Sequence, residues 1–185
     1  GYMRARVETI GQASALPGWD LTGLTVNSTP VSGDTANVSL QPGELATVVF
    51  TNTERGQIVL QKQTVTTTLD GQTFNLVTNY DGTLTLGPAN SYSDTSGYLV
   101  AGDYTISESS LPAGWDLTGL TVNSTPVSGA TANVALQPGE LATVVFTNTE
   151  RGQIELQKQT VTTTLDGQTF NLVTNYDGTL TLGPA

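Results

Sequence analysis

The stretch Gln57-Ile-Val-Leu-Gln-Lys-Gln-Thr-Val-Thr66 alternates aliphatic with polar side chains. Successive side chains of an extended strand point to opposite faces. Ile58, Leu60 and Lys62 therefore share one face, and Val59, Gln61 and Gln63 share the other. Working outward, further short runs rich in Val, Thr, Leu and Tyr lie at 73–79, 83–86, 103–108, 116–122, 132–136 and 142–149. Turn clusters punctuate them: Asp70-Gly71, Asp81-Gly82, Pro112-Ala113-Gly114 and Pro138-Gly139. No segment carries a helical period. About seven short strands with regular turns read as an all-β, antiparallel β-sandwich.

The chain is also a repeat. Residues 18–89 recur as 114–185 at an offset of 96, and only Asp34/Ala130, Ser39/Ala135 and Val59/Glu155 differ. The first 17 residues fit the same offset at six positions: Gly1, Tyr2, Ala5, Thr9, Ile10 and Ser14. A period of 96 exceeds the ~20–50 residues of solenoid repeats and suits a small independent β-domain. The expected organisation is therefore tandem. Residues 1–54 form the C-terminal part of one repeat, 55–150 a complete sandwich, and 151–185 the N-terminal part of the next. The sequence falls short of two periods by the counterparts of residues 90–96. It thus reads as an excerpt of a longer array whose partial repeats are completed by neighbours. The join Asn148-Thr149-Glu150-Arg151-Gly152 is short, which suits a stiff connection.

Composition narrows the function. The 185 residues include no His and no Cys, which leaves out Ser–His and Cys–His catalysis, haem, iron–sulfur and the usual zinc sites. No cofactor is expected. The formal charge of −10 argues against nucleic acid, whose phosphates need Lys and Arg. No apolar run is long enough to span a membrane. The low charged fraction and the many Thr, Ser, Asn and Gln residues resemble the surfaces of exported proteins. Disulfides cannot staple the chain.

Both lysines, Lys62 and Lys158, occupy the same place in the repeat. The Val59/Glu155 difference marks the opposite face of that strand as solvated, so Lys62 points inward. Alternation likewise aligns Ala142, Val144, Phe146 and Asn148 on one face, and Tyr104, Ile106 and Glu108 on another. A Lys, a Glu and an Asn thus each close an inward apolar row. Burial favours the uncharged form of an amine and of a carboxylic acid alike. A neutral amine can attack a carboxamide, an acid can polarise the carbonyl and relay protons, and an isopeptide bond then replaces ammonia. Two plainer readings stand beside this one: Lys62 snorkels to water from a strand end, or it forms a salt bridge with Glu108.

Tyr104-Thr-Ile-Ser-Glu108-Ser-Ser-Leu-Pro112-Ala-Gly-Trp115 resembles the E-box of Gram-positive pilins and of Cna B-type, SpaA-like domains. The opening Ile58-Val-Leu-Gln-Lys62 is similar to their first strand, and Val144-Val-Phe-Thr-Asn148-Thr to their last. The resemblance implies a prealbumin-like, immunoglobulin-like sandwich. It also implies a Lys62–Asn148 isopeptide bond assisted by Glu108, and a stalk role on a bacterial surface. Lys158 and Asn52 are the equivalents in the partial repeats. Glu108 maps to Gln12, or to Ala13 if Leu16-Pro17 is aligned with Leu111-Pro112, and neither residue is an acid. No sorting motif is visible. Both lysines face the core, so one long chain or strand exchange between chains is easier to defend than sortase polymerisation.

The functional expectation is a structural repeat of an extracellular, cell-surface fibre or pilus-like filament. It would be locked by a single-turnover autocatalytic isopeptide bond and would not be an enzyme. Its partners would be identical neighbouring repeats or subunits along a fibre, with a possible surface ligand at the tip. The alternative is an adhesin module whose loops bind a ligand, or a phage fibre repeat. Near-identical copies favour the structural reading. Glycoside hydrolysis would need a pair of acids, and none stands out. The turns Asp70-Gly71 and Asp81-Gly82 read as hairpins rather than a metal site, and Trp19 and Trp115 as covers for a core edge.

Overall fold

The computed structural model describes residues 7–67, 71–161 and 167–183. Asp70 of the expected first turn lies outside them, as do Gly1, Tyr2 and Ala5 of the repeat comparison. The described chain is all-β apart from one 3-10 turn, Pro88–Asn90. It divides into two units, residues 1–151 and 152–185.

The first unit opens with β1 (Val7–Gly11), β2 (Trp19–Val26), β3 (Thr29–Pro30), β4 (Thr35–Ser39) and β5 (Val48–Glu54). β1 pairs with β4, while β2 lies between β3 and β5. Leu24, Ala36 and Val38 form its small core. The same unit continues with β6 (Gln57–Val65), β7 (Phe74–Thr78), β8 (Gly82–Leu86), β9 (Ser93–Thr95) and β10 (Gly102–Ser109). It ends with β11 (Trp115–Val122), β12 (Thr125–Pro126), β13 (Thr131–Leu136) and β14 (Leu141–Glu150). These nine make a sandwich of two sheets, β13-β10-β7-β8 and β12-β11-β14-β6-β9.

The core follows from alternation. β6 buries Ile58, Leu60 and Lys62, β13 buries Ala132, Val134 and Leu136, and β14 buries Ala142, Val144, Phe146 and Asn148. Each run places every second residue on its sheet's inner face. Phe74 stands edge-on to Trp115, with ring centroids 5.3 Å apart, so Trp115 closes one end of the core. Trp115 is 7% exposed. Its counterpart Trp19 is 39% exposed.

The sandwich is antiparallel except for one pair. β6 and β14 run parallel from Leu141↔Gln57 to Thr149↔Val65. Parallel neighbours need a long connection, and the rest of the domain supplies it here.

The second unit contains β15 (Phe170–Thr174) and β16 (Gly178–Leu182), paired antiparallel as a hairpin. Residues 152–161, the counterpart of β6, carry no strand assignment there.

Candidate functional site

The inner face of β6 ends in Lys62, that of β10 in Glu108 and that of β14 in Asn148. β6 and β14 are neighbours in one sheet, with Phe146 opposite Lys62 and Asn148 opposite Thr64. β10 belongs to the other sheet, where Glu108 lies opposite Leu76 of β7. The three side chains therefore meet across the interior of the sandwich. Lys62 Nζ lies 2.8 Å from Glu108 Oε1, with side-chain exposures of 0% and 2%. Asn148 is fully buried, and its Nδ2 donates to the same Oε1 at 2.9 Å. The amine and the carboxamide are thus held side by side on a single carboxylate oxygen.

The cluster is poorly satisfied as a resting ion pair. Among the described residues, Lys62 Nζ, Glu108 Oε2 and Asn148 Oδ1 are buried with no hydrogen-bond partner. Each such orphan costs about 1–3 kcal/mol. Burial drives the Lys62 amine below its ordinary value, while the hydrogen-bonding propensity and charge of Glu108 oppose the shift. The walls are aromatic. Lys62 Nζ lies 4.6 Å from the Phe74 ring centroid and 6.0 Å from that of Phe146. An ammonium gains some attraction from such rings but keeps no water shell there. Alternation placed Phe146 on the inner face. It did not single out Phe74, which reaches Lys62 from the opposite sheet.

The counterpart residues sit differently. Gln12, not Ala13, takes the place facing Asn52. Gln12 Nε2 donates to Asn52 Oδ1 at 2.9 Å, and Asn52 Nδ2 donates back to Gln12 Oε1 at 3.0 Å. Two primary amides satisfy each other there, with no acid between them. Glu8 lies four residues before Gln12, opposite Val38. In the second unit, Lys158 Nζ lies 4.8 Å from the Phe170 ring centroid, repeating the Lys62–Phe74 contact. No group of three or more Asp or Glu residues suited to a metal ion occurs among the described residues. No helix there is long and apolar enough to cross a membrane.

A family model described as Domain of unknown function (DUF5979) matches residues 58–151. The match spans the sandwich and all three members of the buried trio. No curated protein matches the sequence. Among solved structures, the chain is similar to a pilus-presented adhesin at 19% identity and a TM-score of 0.37. That similarity covers 53% of this chain and 28% of the adhesin. The chain is similar to the minor pilin of Streptococcus agalactiae at 18% identity and a TM-score of 0.36, over 68% of this chain and 63% of that one. It is similar to the major pilin of Streptococcus pyogenes at 15% identity and a TM-score of 0.36, over 82% and 72%. The chain thus spans less than two thirds of the first two. Likeness at these TM-scores assigns no activity, which is left to the geometry of the trio.

Proposed function

The chain belongs to this DUF5979 family, and from its buried trio we propose that it is a structural repeat of an extracellular bacterial surface fibre, locked internally by a Lys62–Asn148 isopeptide bond. The observation that carries the reading is the shared contact. Lys62 Nζ and Asn148 Nδ2 converge on one oxygen of Glu108 inside a dry, aromatic-walled core. A salt bridge alone would leave Glu108 Oε2 and Asn148 Oδ1 buried without a partner. An amide removes the buried amine and its charge.

The chemistry balances without a cofactor. The Lys62 Nζ lone pair attacks Asn148 Cγ, and the Cγ–Nδ2 bond breaks. One amine proton leaves with Nδ2 as ammonia, carried by the Glu108 carboxyl, which ends in its starting state. The event occurs once per domain and yields no released organic product, so the role is structural rather than enzymatic. Closing a loop of this size is worth roughly 4–5 kcal/mol in the chain-entropy account.

Intact mass is the test. The purified chain should be lighter than its sequence by one ammonia. Glu108→Ala and Lys62→Ala should each restore the full mass. Each should also lower the melting temperature by on the order of 20 °C. Glu108→Gln reproduces the Gln12–Asn52 arrangement and should also keep its ammonia. A full-mass wild type would end the proposal.

A further inference from the structure

The connector between β5 and β6 is only Arg55-Gly56, and the surfaces beside it interlock. Gly18 adopts φ +79°, and a methyl placed on its Cα would fall 2.8 Å from Cε1 of the Tyr98 ring. Gly139 adopts φ +69°, and a methyl there would fall 2.7 Å from Glu54 Oε2. The Gly139 N–H donates to the Glu54 carbonyl at 3.2 Å. Gly56 exchanges backbone hydrogen bonds with Leu99, the neighbour of Tyr98, at 2.9 and 2.8 Å. On the other side, the Arg55 N–H donates to the Gly18 carbonyl at 2.7 Å. The Arg55 guanidinium also grips Asp20 through two bonds, of 2.8 and 2.7 Å.

The repeat supplies an internal comparison. Gly114 and Gly43 are the counterparts of Gly18 and Gly139, with φ +82° and +81°, yet a methyl on either would meet nothing within 4 Å. The left-handed backbone therefore belongs to each turn by itself. The close approach of Tyr98 and Glu54 belongs only to the place where residues 7–54 abut 55–151.

We infer that this place is a docking joint between consecutive repeats. The Tyr98 ring seats on the Gly18 turn, and the Glu54 strand end seats on the Gly139 turn, which fixes one repeat's orientation on the next. Its partner is another copy of the same repeat. The inference rests on the fibre reading but not on the isopeptide bond. Tyr98 remains 52% exposed, so removing its ring leaves the sandwich core intact.

The chain has no native Cys, so spin labels can be placed at Ser32→Cys and Ala135→Cys in the 185-residue chain. Pulsed electron resonance should give one narrow distance distribution. Tyr98→Ala combined with Glu54→Ala should broaden it at least twofold, whereas Tyr98→Phe, which keeps the ring, should leave it narrow. A broad distribution in the parent, an unchanged width in the double variant, or equal broadening with Tyr98→Phe would each overturn the joint. Intact mass of the same samples reports the Lys62–Asn148 bond separately. Failure of the joint and failure of the covalent lock are therefore distinguishable.

Discussion

Lys62 shows how a strand's alternation can force chemistry on a side chain. The residue sits where a third aliphatic group would sit, between two phenyl rings and one carboxylate. Its inward direction was legible from Ile58 and Leu60, since the period of two admits no other face. The approach of Phe74 was not legible, because a period gives the face of a strand and not which residue lies opposite on another sheet. The pH dependence of an unlinked protein follows from the same burial. In Asn148→Ala, Lys62 keeps a free amine whose folded value lies below the ordinary 10.5. Between those two values the unfolded chain binds more protons than the folded one, so stability rises with pH. Tyr80 acts in the opposite sense at higher pH. Burial first, then the charges of Asp94 and Asp81, push its hydroxyl up from 10.0 to about 12. The folded state then holds the proton longer, and stability falls between those values. Urea midpoints of Asn148→Ala should therefore climb as the pH is raised toward 10, below the range where Tyr80 acts. The wild type should change less if its Lys62 amine is consumed in the proposed bond. Parallel profiles would argue against a consumed amine.

Strands with alternating apolar residues were readable, and the short edge elements were not. The run at 103–108 became Gly102–Ser109, and that at 142–149 became Leu141–Glu150. β9 was missed because Ser93-Asp94-Thr95 has no apolar alternation. It is held by pairing with Val59, Leu60 and Gln61 at the sheet edge. The parallel β6–β14 pair was equally invisible, since strand order is decided by the closure of the whole sandwich rather than by either strand. The two tryptophans offer an internal test of what the core requires. Trp115 is packed on Phe74, while Trp19 is more than a third exposed. Trp115→Ala should cost about 3–5 kcal/mol, the usual range for emptying a buried aromatic site. Trp19→Ala should cost well under half as much. Chemical denaturation of the two variants measures the contrast, and equal costs would show that Trp115 does not close the core.

For the whole molecule, the proposed bond makes a permanent ring of residues 62–148. Such a ring survives denaturation, so in concentrated guanidinium the wild type should be measurably more compact than Lys62→Ala by light scattering. Equal hydrodynamic radii would count against ring closure. The parallel pairing of β6 with β14 has a mechanical consequence as well. The chain enters the sandwich at the Gln57 end of β6 and leaves it at the Glu150 end of β14. Those ends lie at opposite extremes of two adjacent strands that run the same way. Pulling the chain from both sides would slide one strand along the other and load the hydrogen bonds from Leu141↔Gln57 to Thr149↔Val65 together. The sandwich would resist in shear, with no single end bond to peel first, and a Lys62–Asn148 rivet would lie within the sheared seam itself.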